Sequence, residues 1–291
     1  MRTTDPAALR VALKGVRALL LDLDGVIVIA GKAVPGSVEA IAELERRRMP
    51  YRIVTNTSLV SRATLSRYAA QLGNEIPPER FQSALSASAA YAAHAFKGQP
   101  LYVLTSADGR TEFDGQRLLS HGEAAEPDAH AAAVIVGDSP DELTHANLNR
   151  AFRLVRNGAR LIGMHRNPWW LTPDGPTLDS GAYVTGLEFA TGARAQIIGK
   201  PSTRFFSIAV EALRGEAVAG TARLRRSEIA MVGDDVRTDV LAGQRGGLRG
   251  AFVLTGKHGL DELSRLPGHG RGGREPHAVA PSLADVVAAL D

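Results

Sequence analysis

Short runs of consecutive apolar residues alternate along this chain with longer stretches in which apolar positions recur every three or four. The runs ALLLDL (18–23), YRIVTN (51–56), LYVLT (101–105), AAVIVG (132–137), ARLIGM (159–164), AQIIG (195–199), EIAMVGD (228–234) and GAFVLT (250–255) have strand length and no polar face. Strands apolar on both sides are covered on both sides, so these runs predict parallel strands buried between helices. SVEAIAELERRR (37–48) and HANLNRAFRLVRNG (145–158) have helical spacing. In the second, Leu148, Phe152 and Val155 set the apolar stripe, and Gly158 stands where the helix stops. The alternation predicts an α/β fold with a doubly wound parallel sheet.

Two acids break the first run. Asp22 and Asp24 are two apart in RALLLDLDGVIVIAG (17–31), so at a strand end they leave on the same face, and Gly25 allows the turn that follows. Ligands of parallel sheets bind at carboxyl strand ends. Like charges buried together need a cation or a shared proton, and a hard divalent ion, Mg²⁺ above all, suits an all-oxygen donor set. A calcium loop beginning at Asp22 would require Glu at its twelfth position, which is Ala33. Helix capping would explain one of the two acids and hardly both.

Other strand ends carry chemistry too. MVGDDVRTDVLAG (231–243) ends its apolar run in Asp234 and Asp235, with Asp239 beyond; YRIVTNTS (51–58) ends in Thr55, Asn56, Thr57 and Ser58; IIGKPS (197–202) ends in Lys200. Acids suit a metal, while hydroxyl, amide and lysine suit phosphoryl oxygens. Singly, Lys200 reads equally well as a surface lysine and TNTS as a helix cap; the ordered combination carries the argument.

Composition narrows the field. The chain has 291 residues, 44% hydrophobic, enough for two domains. Its 34 basic and 31 acidic residues leave a formal charge of +3 and no basic tract, so no nucleic-acid partner is expected. It has no cysteine, which excludes disulfides, thiolate catalysis and Cys-based zinc sites and suits a reducing compartment. The first apolar run is short and carries two acids, unlike a signal or a membrane span, so a soluble cytoplasmic protein without a membrane partner is expected. GHGRGGREP (268–276) reads as a solvated turn, and His121 and His130 as surface residues.

DLDGVI, VTNTS, GKP and GDDVRTD, in this order, resemble the four motifs of the haloacid dehalogenase superfamily of phosphotransferases. VPGSVEAIAEL, FRLVRNGARLIGMH and GKPSTRFF resemble its NagD-like branch. GDD with TGKH at 255–258 points to the phospholysine phosphohistidine inorganic pyrophosphate phosphatase group and the related haloacid-dehalogenase-like hydrolase domain-containing proteins.

The resemblance implies a Rossmann-like core, a Mg²⁺ cofactor and roles for individual residues. Asp22 is then the nucleophile that becomes a phosphoaspartate, and Asp24 the general acid and base, its main-chain carbonyl also a metal ligand. Asp22 and Asp234 are metal ligands. Asp235 and Asp239 act through water or hold Lys200. Thr55, Asn56 and Lys200 bind the phosphoryl group. Dehalogenases of the superfamily lack an acid at the position of Asp24, which argues against carbon–halogen chemistry.

Spacing places an insertion. Asp22 and Thr55 are 33 residues apart (55 − 22), one strand–helix–strand step, whereas Asn56 and Lys200 are 144 apart (200 − 56). The excess resembles the large α/β cap of this branch, so 1–84 with 195–291 are expected to form the core and 85–194 the cap. His165, Arg166, Trp169 and Trp170 are candidates for contacting a leaving group; a cap turn with two packing tryptophans is the competing reading. The resemblance brings an expectation of homodimers paired through the cap, and the residues leave oligomeric state open.

The reading is therefore a Mg²⁺-dependent phosphatase for a small phosphorylated metabolite, pyrophosphate or a phosphoamide. The alternative is a receiver-like protein that responds to phosphorylation without rapid turnover. Receivers lack both an inserted cap and an acid at the position of Asp24, so that residue separates the two.

Overall fold

Apolar runs of this kind fold as interior strands because burial on both faces removes their whole surface from water. The computed structural model describes residues 5–172, 175–215, 223–266 and 274–290. All eight predicted runs are strands. The chain divides into two compact units: one contains the residues up to Thr55, 66–82 and those from Lys200 onward, the other 56–65 and 83–199.

The first unit is built on a six-stranded sheet. From one edge to the other its strands are Ala278–Ala280, Arg249–Val253, Ile229–Gly233, Ala18–Leu21, Tyr51–Thr55 and Phe81–Ser83. Ala18–Leu21 runs parallel to both neighbours, and Ile229–Gly233, Arg249–Val253 and Ala278–Ala280 continue in parallel. Helices cover it; Thr203–Gly215 buries Phe205, Phe206, Ala209, Val210 and Leu213, and Ser37–Arg46 buries Ala40, Ile41 and Leu44. The chain leaves Ala18–Leu21 toward Tyr51–Thr55 on one side and returns on the other at Ile229–Gly233. The order therefore reverses between Ala18–Leu21 and Ile229–Gly233, and the crevice beyond such a reversal is where doubly wound sheets bind ligands.

The second unit has a four-stranded parallel sheet in the order Gln196–Ile197, Arg160–Gly163, Ala133–Val136, Leu101–Leu104. Its core gathers Tyr102, Val134, Val136, Leu154, Leu161, Val184 and Leu187. Helix His145–Arg156 stops where Gly158 takes a φ of +101°. Its buried face takes in Ala151, Leu154 and Val155, and the predicted Leu148 and Phe152 pack half-buried against the same core. The stretch ALSASAAYAAHA forms helix Ala84–Ala95, capped by Ser83 and Ser86 in a reciprocal box.

Among the described residues six strands lie outside the predicted runs: the edge strands Phe81–Ser83 and Ala278–Ala280, and the two hairpins Val28–Ile29 with Lys32–Ala33 and Trp169–Thr172 with Gly175–Leu178. The second hairpin corrects the reading of Trp169 and Trp170 as packing residues, because they are 57% and 41% exposed. His121 is half-buried beside the Tyr102 hydroxyl and Glu142, not a free surface residue. Most of the Gly/Arg stretch, 268–273, lies outside the described residues. No helix among the described residues is long and apolar enough to cross a membrane.

Candidate active site

The strand reversal in the first unit brings four of the expected residues together. Asp22 follows Ala18–Leu21 and is tied into the sheet by its N–H, which donates to the Val232 carbonyl at 2.9 Å. Asp234 follows Ile229–Gly233, and Asp239 lies on the wide helical turn Val236–Val240. One carboxylate oxygen from each of Asp22, Asp234 and Asp239 lies within 4.8 Å of the others, and all three residues are buried. Lys200 projects its buried ammonium between two of them, 2.7 Å from Asp22 Oδ1 and 2.7 Å from Asp239 Oδ1. It also donates to the Val54 carbonyl at 3.3 Å.

Electrostatics follows from this crowding. Burial lifts the Asp22 carboxyl to about 6; Lys200 opposes the rise, and the charges of Asp234 and Asp24 add to it. Burial also raises Asp239 well above the carboxylate range, with the Asp22 charge adding and Lys200 opposing. Asp234 is raised by burial against the pull of the Lys257 N–H. Lys200 loses hydration, yet Asp22 and Asp239 hold it above the usual lysine value. Three carboxylates against one ammonium leave two negative charges unmatched when all are ionised. An all-oxygen set of that charge fits a hard divalent cation, with Asp22, Asp234 and Asp239 as its side-chain donors.

Asp234 is held by steric and main-chain means. Its Oδ2 accepts the Lys257 N–H at 2.6 Å. A Cβ on Gly25 would meet Oδ2 at 2.3 Å and one on Gly256 at 2.1 Å, and Gly25 has a φ of +75°. Both glycines are therefore required for the carboxylate to occupy this position. The TGKH segment thus supplies a clamp that the sequence reading used only as a family marker. Its main-chain donor has no side-chain signature; the position just past an apolar strand was the available signal.

Asp235 plays a different part. Burial pushes its carboxyl up, but hydrogen bonds from the Thr238 and Arg237 N–H groups and the charges of Lys257 and His258 bring it below the usual value. Asp24 is exposed, its side chain outside the three-carboxylate cluster, and its pKa is raised by loss of hydration and by Asp234 and Asp239 against Lys200. Thr55 ends its strand fully buried.

Asn56 belongs to the second unit, where its side-chain oxygen lies against Gly199; a Cβ there would meet it at 2.7 Å. His165 is 2% exposed, and its Nε2 lies 2.9 Å from Ser58 Oγ and 3.2 Å from Ser180 Oγ. Both ring nitrogens have protein partners within this unit. Arg166 is exposed and paired with Glu188, and Trp169 is exposed on its hairpin.

A family profile described as haloacid dehalogenase-like hydrolase matches residues 19–118, and one described as HAD-hydrolase-like matches 197–286. The chain is 33% identical over 245 residues to haloacid dehalogenase-like hydrolase domain-containing protein 2 of Bos taurus, spanning 84% of this chain and 86% of that protein. It is 34% identical over 253 residues to the phospholysine phosphohistidine inorganic pyrophosphate phosphatase of Homo sapiens, spanning 84% and 85%. NagD from E. coli K-12 superimposes with a TM-score of 0.78 at 25% identity, covering 92% of this chain and 97% of that one. The chain belongs to the haloacid dehalogenase-like hydrolases. Within them it is an enzyme of the phosphatase type, which sets aside the receiver-like alternative.

Two expectations follow. Gly256→Ala forces Asp234 aside and is expected to cost about 1–3 kcal/mol of stability and to weaken divalent-metal binding, measured by denaturation and by calorimetric titration. The second concerns pH. Burial pushes the His165 ring down to about 4 from 6.5, so the folded unit keeps it neutral while the unfolded chain takes up a proton. Its stability contribution is intact above pH 6.5 and is lost toward pH 4, by roughly 3 kcal/mol. Asp138 works in the opposite sense: burial and the nearby Asp179 raise it to about 6, so the folded unit gains a proton and stability as pH falls below 6. Relative to the wild type, His165→Gln should therefore gain stability on acidification from pH 6.5 to 4, and Asp138→Asn should lose it. Both tryptophans lie in this unit, so urea unfolding followed by their fluorescence reads it directly; pH curves parallel to wild type would refute the assignment.

Proposed function

We propose that this enzyme is a Mg²⁺-dependent phosphatase that hydrolyses a small phosphorylated metabolite, pyrophosphate or a phosphoamide through a phosphoaspartate on Asp22. The observation that carries the reading is the buried Asp22 carboxylate, paired with Lys200 and grouped with Asp234 and Asp239 at the strand reversal. The name of the human relative gives phospholysine, phosphohistidine and pyrophosphate as what that protein acts on, which supports P–N and P–O–P substrates here.

When bound, the divalent ion neutralises phosphoryl oxygens and keeps Asp22 ionised. Asp22 Oδ attacks phosphorus in line; the new O–P bond forms as the bond to the leaving atom breaks. Asp24 gives that leaving atom its proton, a task suited to a carboxyl raised above its ordinary value. Asp24 then takes a proton from the water that attacks the phosphoaspartate, the O–P bond breaks, and Asp22 and inorganic phosphate are released. Lys200, Thr55 and Asn56 hold the phosphoryl oxygens. Lys200 also keeps Asp22 and Asp239 from repelling one another in the resting site.

The second unit, as the cap, selects the leaving group through the exposed Trp169 and Arg166. A chain without cysteine, whose described residues include no membrane-crossing helix, suits a cytoplasmic location. A homodimer through the cap remains part of the proposal.

With 4-nitrophenyl phosphate and Mg²⁺, Asp22→Asn is expected to lower kcat by at least about a thousandfold, and excess chelator to abolish turnover until Mg²⁺ is restored. Activity retained in either case would refute the mechanism. Trp169→Ala is expected to change relative kcat/KM across a panel of phosphorylated metabolites while metal affinity stays fixed; an unchanged ranking would remove Trp169 from substrate selection.

A further inference from the structure

Within the second unit, Ser58 and Leu59, just after Asn56, are held through their carbonyls and through the Ser58 hydroxyl. The Ser58 carbonyl accepts from Thr105 Oγ1 at 2.9 Å, and the Leu59 carbonyl accepts from Ser106 Oγ. Ser58 Oγ accepts the Asp138 N–H at 2.9 Å and meets His165 Nε2 at 2.9 Å. Ser58 and His165 are both buried at 2% exposure and lie 107 residues apart.

The protonation state of the ring follows from its partners. The Asn167 N–H lies 3.3 Å from His165 Nδ1 and can only donate, so Nδ1 is the acceptor and Nε2 bears the hydrogen. Nε2–H therefore donates to Ser58 Oγ. This arrangement is unlike a Ser-His-Asp nucleophile, although all three residue types are present. Asp179 Oδ1 lies 3.4 Å from Nε2, the same nitrogen that faces the serine, so no free lone pair exists there to take the serine proton. The histidine is a fixed donor, and its load is the Ser58 turn.

We propose that His165 is a positioning residue for phosphoryl transfer: by donating to Ser58 it fixes the turn that carries Asn56. The proposal rests on the reading of Asn56 as a phosphoryl-binding group. Asn56 has no room for drift on its other side, because its Oδ1 lies against Gly199, whose own N–H is bound to the Met164 carbonyl at 2.7 Å. Releasing Ser58 lets the turn shift, and a displacement of about 1 Å at a phosphoryl-binding group is enough to cost on the order of a hundredfold in rate.

The test compares Ser58→Ala, His165→Leu, their double variant, His165→Gln and Ser180→Ala, with 4-nitrophenyl phosphate and Mg²⁺. Ser58→Ala and His165→Leu are each expected to lower kcat/KM by about ten- to a hundredfold, and the double variant to fall no further than the worse single. His165→Gln, whose amide still donates, recovers most of the loss. Ser180→Ala removes the other hydroxyl at the same nitrogen without touching the turn, and keeps kcat/KM near wild type even where it lowers Tm. Calorimetric titration of inorganic phosphate into each Mg²⁺-loaded protein should weaken in the same pattern. Where His165→Leu does not fold, Ser58→Ala against His165→Gln and Ser180→Ala decides. Absence of turnover in the wild type would overturn the phosphatase mechanism itself. An active wild type with multiplicative losses, an unaffected Ser58→Ala, or an equal loss in Ser180→Ala would overturn the positioning role alone.

Discussion

A single buried ammonium, that of Lys200, makes the carboxylate cluster of the first unit physically tolerable. It lies 2.7 Å from carboxylates of Asp22 and Asp239, two residues brought in by different strand ends. Breaking a buried ion pair by removing one partner costs about 3–5 kcal/mol, because the remaining charge is left without hydration. Here the charges left behind would be two carboxylates facing each other. The lysine thus offsets the charge of both acids and sets their spacing, and it does so from a position 178 residues away from Asp22 in sequence.

The second constraint is absence of volume. Asp234 occupies its place only because Gly25 and Gly256 have no Cβ, and Asp239 is packed the same way against Gly233, where a Cβ would lie 2.4 Å from Asp239 Cβ. The acids are close because the backbone around them is bare. Burial first, and then that closeness, raises their pKa values, and the negative charge gathered there is what a divalent ion would neutralise.

Much of this was legible beforehand for a simple reason. Interior parallel strands are apolar on both faces, so an acid or lysine at the end of such a run stands out, and Asp22, Asp234, Thr55 and Lys200 were all found that way. Short edge strands carry no such signal: Ala278–Ala280 and Phe81–Ser83 are three residues each, too few to establish a pattern. The stripe of His145–Arg156 was legible in part: Val155 is buried and Leu148 and Phe152 pack against the core, while small Ala151, which bulk does not mark, buries completely. For Trp169 and Trp170 the competing reading, that they pack as aromatic rings usually do, fails because a two-stranded hairpin leaves them exposed. His165 and the Lys257 N–H act through burial and through the backbone, properties of the folded chain that no residue type announces.

The partition of the chain explains why the support around the motifs is so dense. Of the four boundaries between the units, one falls between Thr55 and Asn56 and another between Gly199 and Lys200, and these two each separate a motif residue from its sequence neighbour. Thr55 and Lys200 are fixed by the sheet and the ion pairs of the first unit. Beyond Asn56, residues of the second unit hold the chain. Ser61 is bound at its N–H and hydroxyl by Asp108, and Arg62 at its N–H and guanidinium by Glu112. These carboxylates do for residues 61 and 62 what a strand ladder does for Thr55: they satisfy main-chain donors and set the path of the segment. Ser58 extends that path toward Asn56, and its neutral histidine donor suits a buried position where a charged one would need a counter-ion.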